Sequence, residues 1–214
     1  MNINIPTTLR LVTIFAICTL SIPLRAQVEI ENASDPHIHS QTGMQFPITV
    51  GNFQRHQVIQ YSDDGTDMGF GYQLIRGGKK IGYISIFIYP APETKAEAKM
   101  DIAHDTACKS VFSGINGSIT SRTGGRLVKE SKALSPSEVF TDQGYYAAFE
   151  GGKTDFGSEH GVIVNDESYL YCYAGGQWLV AYRLTWPVEY EISAEFMGMM
   201  KAVKWPETLR SQRN

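Results

Sequence analysis

The chain has little of what the recognisable chemistries require. Its 214 residues include three cysteines and five histidines. No two cysteines form a C-x-x-C pair, so a thioredoxin-type redox role finds no support. No G-x-S-x-G elbow occurs, and Ser118, in GINGS, reads as part of a turn after a helix instead of a strand-to-helix corner. RGGKK at 76–80 lacks the Walker spacing and precedes a strand pattern, where phosphate cradling needs a helix N-terminus. These absences leave no cofactor fingerprint. Basic residues are scarce too: 19 Lys and Arg stand against 22 Asp and Glu, for a net charge of −3. That balance argues against nucleic acid, whose phosphates need clustered cations, and against adsorption to anionic lipid.

Long apolar runs are absent except at the beginning. MNINIPTTLRLVTIFAICTLSIPLRAQ has Arg10 as a positive lead, a mostly apolar run from Leu11 to Leu24, and the small Ala26 before Gln27. This is the layout of a cleaved secretory signal, 1–26, with a run too short to span a bilayer comfortably and no second run after it. Cys18 lacks a lipobox, because Ile17 stands where Gly, Ala or Ser is needed. Cleavage after Ala26 would remove Arg10, Arg25 and no acid, leaving 188 residues at formal charge −5. The expected protein is periplasmic or extracellular, with no transmembrane segment after cleavage. Its remaining length suits one domain. With 43% hydrophobic and 19% charged residues, the chain is globular in composition. Two cysteines remain, Cys108 and Cys172. In an oxidising compartment an even pair suggests a disulfide; the alternative is two separate buried thiols.

Residues 27–45 show no sustained period and read as an extended or mobile arm before a globular part at 46–206 and a polar tail at 207–214. Strands are predicted over Arg55–Tyr61, Met68–Ile75 and Ile81–Tyr89. In the third, Tyr83, Phe87 and Tyr89 alternate with Ile84, Ile86 and Ile88, so it is expected to be central and covered on both sides. A helix is predicted from Glu93 to Ser113, with Met100, His104, Ala107, Val111 and Ile115 on its apolar stripe and Cys108 at the margin. Gly114, Asn116 and Gly117 are expected to stop it. Strands follow over Arg126–Leu134, Gly144–Glu150, Glu159–Val164, Tyr169–Ala174 and Gln177–Trp186, with turns at Asn165-Asp166-Glu167 and Gly175-Gly176. Pro187 is placed in the first turn of a closing helix, whose stripe is Val188, Ile192, Phe196, Met199 and Val203. Short strand-to-strand connections favour an α+β fold: an antiparallel sheet of about six to eight strands with two main helices on it.

Three segments carry a resemblance of layout: FPITVGNFQR, then YISIFIYPAPE leading into a helix, then YLYCYAGGQWLVAYRLTWP before the last helix. Their order resembles the PsbP-like sandwich of extrinsic photosystem subunits and of unrelated exported proteins. The resemblance implies a binding or accessory role and carries no site residue with it.

Four constellations were weighed for chemistry. DPHIHS, residues 35–40, puts His37 and His39 on one side of an extended arm with Asp35 nearby, which could hold a divalent ion weakly. DDGTD at 63–67 has oxygen ligands without the EF-hand spacing and reads as a solvated turn. His104 and Cys108 are four apart on a helix, close enough for a Cys–His pair, but Asp105 points off their face and a disulfide would remove the nucleophile. The densest feature is aromatic. Tyr169, Tyr171 and Tyr173 alternate with Leu170 and Cys172, and Trp178, Val180, Tyr182, Leu184 and Trp186 lie opposite Leu179, Ala181, Arg183 and Thr185. Cross-strand packing accounts for most of them. One face could stay open for a ligand, through Tyr171, Tyr173, Trp178, Tyr182, Arg183 and Trp186. The leading expectation is therefore a non-enzymatic exported domain that binds an envelope protein or small ligand. The alternatives are an envelope hydrolase or other enzyme without a recognisable motif, and a weak metal binder.

Overall fold

The computed structural model describes residues 27–93 and 100–210, and the predicted leader, 1–26, lies outside them. The chain forms a nine-stranded antiparallel sheet with two α-helices. β1 (Val28–Glu29), β2 (His37–Ile38), β3 (Gln45–Phe46) and β4 (Thr49–Val50) are short. A meander follows: β5 (Phe53–Gln60), β6 (Met68–Arg76) and β7 (Lys79–Pro90). The helix α1 (Met100–Thr123) then carries the chain to the far edge, where β8 (Arg126–Ala133), β9 (Gly144–Phe156), β10 (Glu159–Ala174) and β11 (Trp178–Pro187) return to the centre. The sheet order is β1-β5-β6-β7-β11-β10-β9-β8, with β4 also on β5, and β2 pairs β3 as a separate hairpin. Two meanders thus meet where β7 pairs antiparallel with β11, Phe87 opposite Ala181 and Ser85 opposite Arg183.

Strand alternation sends each set of side chains to one of two faces. On one, Phe70, Tyr72 and Leu74 of β6, Ile84, Ile86 and Ile88 of β7, and Val180, Tyr182 and Leu184 of β11 are buried. They are covered by α2 (Ser193–Ala202), through Phe196, Met199 and Met200, and by Trp205 and Leu209 beyond it. Pro187 ends β11 and does not open the helix; α2 starts at Ser193, and Val188 is exposed while Ile192, Phe196, Met199 and Val203 are buried. Leu209 of the predicted polar tail has no exposed surface, and Thr208 donates to the Thr42 carbonyl at 2.6 Å. Leu209 thus belongs to the core, and residues 211–214 of that tail lie outside the described residues.

Residues 27–45 are likewise packed, which corrects the reading of a free arm. β1 pairs with β5, Met44 and Phe46 are fully buried, and the Phe46 ring stacks on Phe70 with centroids 3.6 Å apart. Arg55, nearly buried, donates to the carbonyls of Phe46, Ala33 and Ser34 and so ties the segment down. The polar composition hid this, because polar side chains there serve as hydrogen-bond partners instead of solvated groups.

Helix α1 covers the other face over β9 and β10. It runs past Gly114, Asn116 and Gly117 and stops at Gly124, whose φ of +73° suits glycine. The expected stop is overridden because Phe112, Asn116 and Ile119 are buried, and Asn116 accepts from Ser168 at 2.9 Å. Each glycine costs about 1 kcal/mol against alanine, less than burial of these side chains returns. The seam is also rotated: Cys108, expected at the margin, lies at its middle with Phe112 and Ile119. Cys108 and Cys172 form a disulfide between α1 and β10, with Cα atoms 6.0 Å apart.

The predicted turn at Asn165-Asp166-Glu167 is absent; β10 continues through it. Asp166 is fully buried, and its carboxylate accepts from Thr185 at 2.5 Å and Thr123 at 3.3 Å, with Arg122 at 3.7 Å. Tertiary donors make a turn-forming residue compatible with a central strand.

Candidate functional site

Because α1 sits over β9 and β10, the same face of β5, β6 and β7 is left partly open among the described residues. Tyr83, Ser85, Phe87 and Tyr89 are only half-buried, so β7 is central but not covered on both sides as expected. On this face β6 carries Gly69 and Gly71. A Cβ at Gly69 would stand 3.0 Å from the Tyr61 ring and 3.2 Å from Phe87, and one at Gly71 would stand 2.9 Å from His56 Nε2. The two glycines let neighbouring rings lie down across the strand, the close approach that a strand glycine often marks.

Two adjoining clefts result. The larger, ≈ 350 Å³, is walled by Tyr61, Phe87, Tyr89 and Ile115 of α1 over Ala181, with Asp67 and Arg183 its only ionic groups among the described residues. That volume lies at the lower end of the range for small-molecule sites. The smaller, ≈ 200 Å³, is polar and includes His56, Ser85, Arg122, Asp155 and Thr185; Arg183 lines both. The guanidinium of Arg183 lies over the Phe87 ring, 5.4 Å from its centroid, and its Nε is buried without a hydrogen-bond partner among the described residues. No carboxylate among the described residues is within ion-pair distance of it. Asp166 is already engaged by Thr185, Thr123 and Arg122. Burial, then the repulsion of Arg122, pushes the Arg183 pKa down, yet guanidinium stays charged in proteins.

Asp67, half-buried, also lines the larger cleft. Its amide is held by Ser62 Oγ at 2.9 Å, and its carbonyl accepts from the Tyr61 amide at 2.8 Å. Its carboxylate makes no hydrogen bond or ion pair with a described residue, and burial raises its pKa. Burial, then the Asp67 charge, also raises the Tyr89 hydroxyl to about 12. Both phenols that wall the cleft, Tyr61 and Tyr89, are therefore neutral donors at ordinary pH.

Of the six residues expected to form a ligand patch, Arg183 alone directs its chemistry here. Tyr171, Tyr182 and Trp186 are buried in the opposite core, where Trp205 Nε1 donates to the Tyr182 hydroxyl at 2.9 Å. Tyr182 borders the larger cleft, but its ring belongs to that core. Trp178 packs edge-on against His39. Tyr173 is swung to the α1 side by an irregularity in β10 and a φ of +57°, and stacks on His104 at 3.7 Å. The sequence reads Phe87 and Tyr89 as packing residues of a covered strand and does not single out Tyr61 or Asp67 as site residues. The signal that could have found them was Gly69-x-Gly71 inside an otherwise apolar strand.

The remaining constellations are structural. His39 is fully buried: Nδ1 accepts from the Thr42 amide at 3.2 Å and meets its hydroxyl at 2.9 Å, so the proton belongs on Nε2, on the side of the Gly65 and Thr66 backbone. His37 packs instead on the Phe70 ring. His37 and His39 are thus taken up separately, one against a ring from the β2 strand and the other in the core, and no metal-binding cluster of three or more His, Cys, Asp or Glu occurs among the described residues. Asp64 in DDGTD accepts from the amide and hydroxyl of Thr66, contacts that hold its pKa near 2 and close the expected turn. Cys108 is in the disulfide and unavailable as a nucleophile.

Burial lowers the pKa values of His37, His39 and His56. The unfolded chain therefore binds more protons than the folded one below the ordinary imidazole value of 6.5, and stability is expected to fall as pH drops through that value. Urea midpoints measured from above to well below it should decline, and the His39→Gln variant should decline less. A flat midpoint in the parent would refute the assignment.

No family model, no curated protein and no solved structure matches the chain.

Proposed function

We propose that the protein is an exported, non-enzymatic binding module whose ligand lies in the aromatic cleft beside α1 and engages Arg183. The observation that carries this reading is a partly buried guanidinium shared by two adjoining clefts, with no ion-pair partner among the described residues. A half-buried cation without a partner is costly, and a ligand acceptor would offset that cost. Export is supported by the leader-like start, by the Cys108–Cys172 disulfide, and by the absence of a helix long and apolar enough to cross a membrane among the described residues. The PsbP-like layout implies a role of the same kind.

An enzyme remains the second reading because the polar cleft brings His56, Ser85 and Asp155 together. Nucleophilic catalysis needs a nucleophile, a base and a group orienting the base, joined by hydrogen bonds. His56 makes no hydrogen bond to Ser85, to Asp155 or to any other described residue, and Asp155 is instead 3.1 Å from His160 on the surface. The binding reading is therefore preferred.

Its test uses 1-anilinonaphthalene-8-sulfonate, an aromatic anion that fluoresces when desolvated. The folded protein is expected to bind it with saturation, and Arg183→Gln to weaken binding about tenfold or more, the value of one charge-assisted hydrogen bond. Unchanged affinity in a folded variant would remove Arg183, and with it this cleft, from the reading.

A further inference from the structure

The larger cleft has two unsatisfied charges of opposite sign, and its walls are otherwise apolar. Asp67 and Arg183 line the same space yet form no ion pair, although each lacks another ionic partner among the described residues. Their separation is maintained by the fold. Asp67 is fixed at the end of the 62–67 turn through Ser62 Oγ and the Tyr61 amide. Arg183 is fixed in the central strand β11, paired with Ser85 of β7 and Ser168 of β10. The rings of Phe87, Tyr89 and Tyr61 line the same space. An anion alone would meet Asp67 as a like charge, and a cation alone would meet Arg183 as one. An uncharged apolar molecule would bury both ions unpaired.

We propose that the cleft binds an apolar zwitterion, a free amino acid with a large apolar side chain or a short peptide ending in one, with its carboxylate on Arg183 and its ammonium on Asp67. The side chain lies against Phe87 and Tyr89, where aromatic walls also favour a nearby ammonium. This inference rests on the cleft being a binding site and adds the ligand's chemistry to that reading.

The test is calorimetric titration of the purified protein with four probes: L-phenylalanine, glycyl-L-phenylalanine, N-acetyl-L-phenylalanine, which keeps only the anion, and L-phenylalaninamide, which keeps only the cation. One of the two zwitterions is expected to bind at least about tenfold tighter than either single-charge analogue, since each charge-assisted contact is worth that much or more. The variants should exchange preferences. Asp67→Asn abolishes the disadvantage of N-acetylphenylalanine, and Arg183→Gln abolishes that of phenylalaninamide. A variant that merely failed to fold would lose all four probes alike and could not produce this exchange. Single-charge probes binding as tightly as the zwitterions would overturn the proposal. Binding of none of the four would overturn it too. If the anilinonaphthalene sulfonate still bound through Arg183, the cleft would stand and only the zwitterion would fall; if it also failed, both readings would fall together.

Discussion

Replacing Arg55 by methionine is expected to destabilise the protein by about 3 kcal/mol and to release the segment before β4. The nearly buried guanidinium donates to three carbonyls, those of Phe46, Ala33 and Ser34. Methionine keeps the apolar stem but supplies no donor, so three acceptors lose their partner at roughly 1 kcal/mol each. The consequence reaches the core, since the same segment delivers Met44 and Phe46 to the face shared with Phe70 and Trp205. With an m-value of roughly 2 kcal/mol per molar urea, the midpoint should fall by roughly 1.5 M. Amide exchange should accelerate first between residues 33 and 46. An unchanged midpoint would mean that the segment is not anchored through Arg55.

Removing both disulfide cysteines, as Cys108→Ala with Cys172→Ala, should cost still more. The bridge closes a loop with a sequence separation of 64, for which the chain-entropy model assigns about 4 kcal/mol. In a chain of this size that corresponds to a fall of roughly 10 °C in Tm. A functional effect should follow, because the bridge holds α1 against β10, and α1 contributes Ile115 to the aromatic cleft and Arg122 to the polar one. Weaker binding of anilinonaphthalene sulfonate is expected below the new Tm, where the double variant is still folded. Two titratable thiols in denatured protein, with identical migration on reducing and non-reducing gels, would contradict the bridge itself.

Much of the sheet was legible because strand alternation is a local property. Ile84, Ile86 and Ile88 announced a buried face of β7 at period two, and Ile192, Phe196, Met199 and Val203 announced the seam of α2 at helical spacing. The turn at 62–65 and the Gly175-Gly176 turn were equally local, each written in residues that tolerate tight backbone. Less was legible where a residue's partner lies far along the chain. Asp166 looks like a turn former until Thr123, Arg122 and Thr185 surround it. DPHIHS looks like a leader until Trp178 and Phe70 cover its two rings.

The amino-acid sequence by itself determined an antiparallel sheet with two helices, the boundaries of β5 to β8 and of β11 to within a few residues, and the pairing open to two lone cysteines. Those follow from periodicity, turn chemistry and count, which act over a few residues. Only the tertiary structure decided which face of the sheet stays open. Alternation says that β7 and β11 have two apolar faces, but where α1 lands depends on Cys108, Phe112 and Ile119 meeting β9 and β10, contacts about thirty to sixty residues apart in the chain. Once the helix is there, Phe87, Tyr89 and Arg183 are left beside it and become the walls and charge of a cleft. The aromatic strands drew attention to Tyr171, Tyr182 and Trp186, which the second helix buries. On the opposite side of β11, Ala181 and Arg183 line the cleft instead.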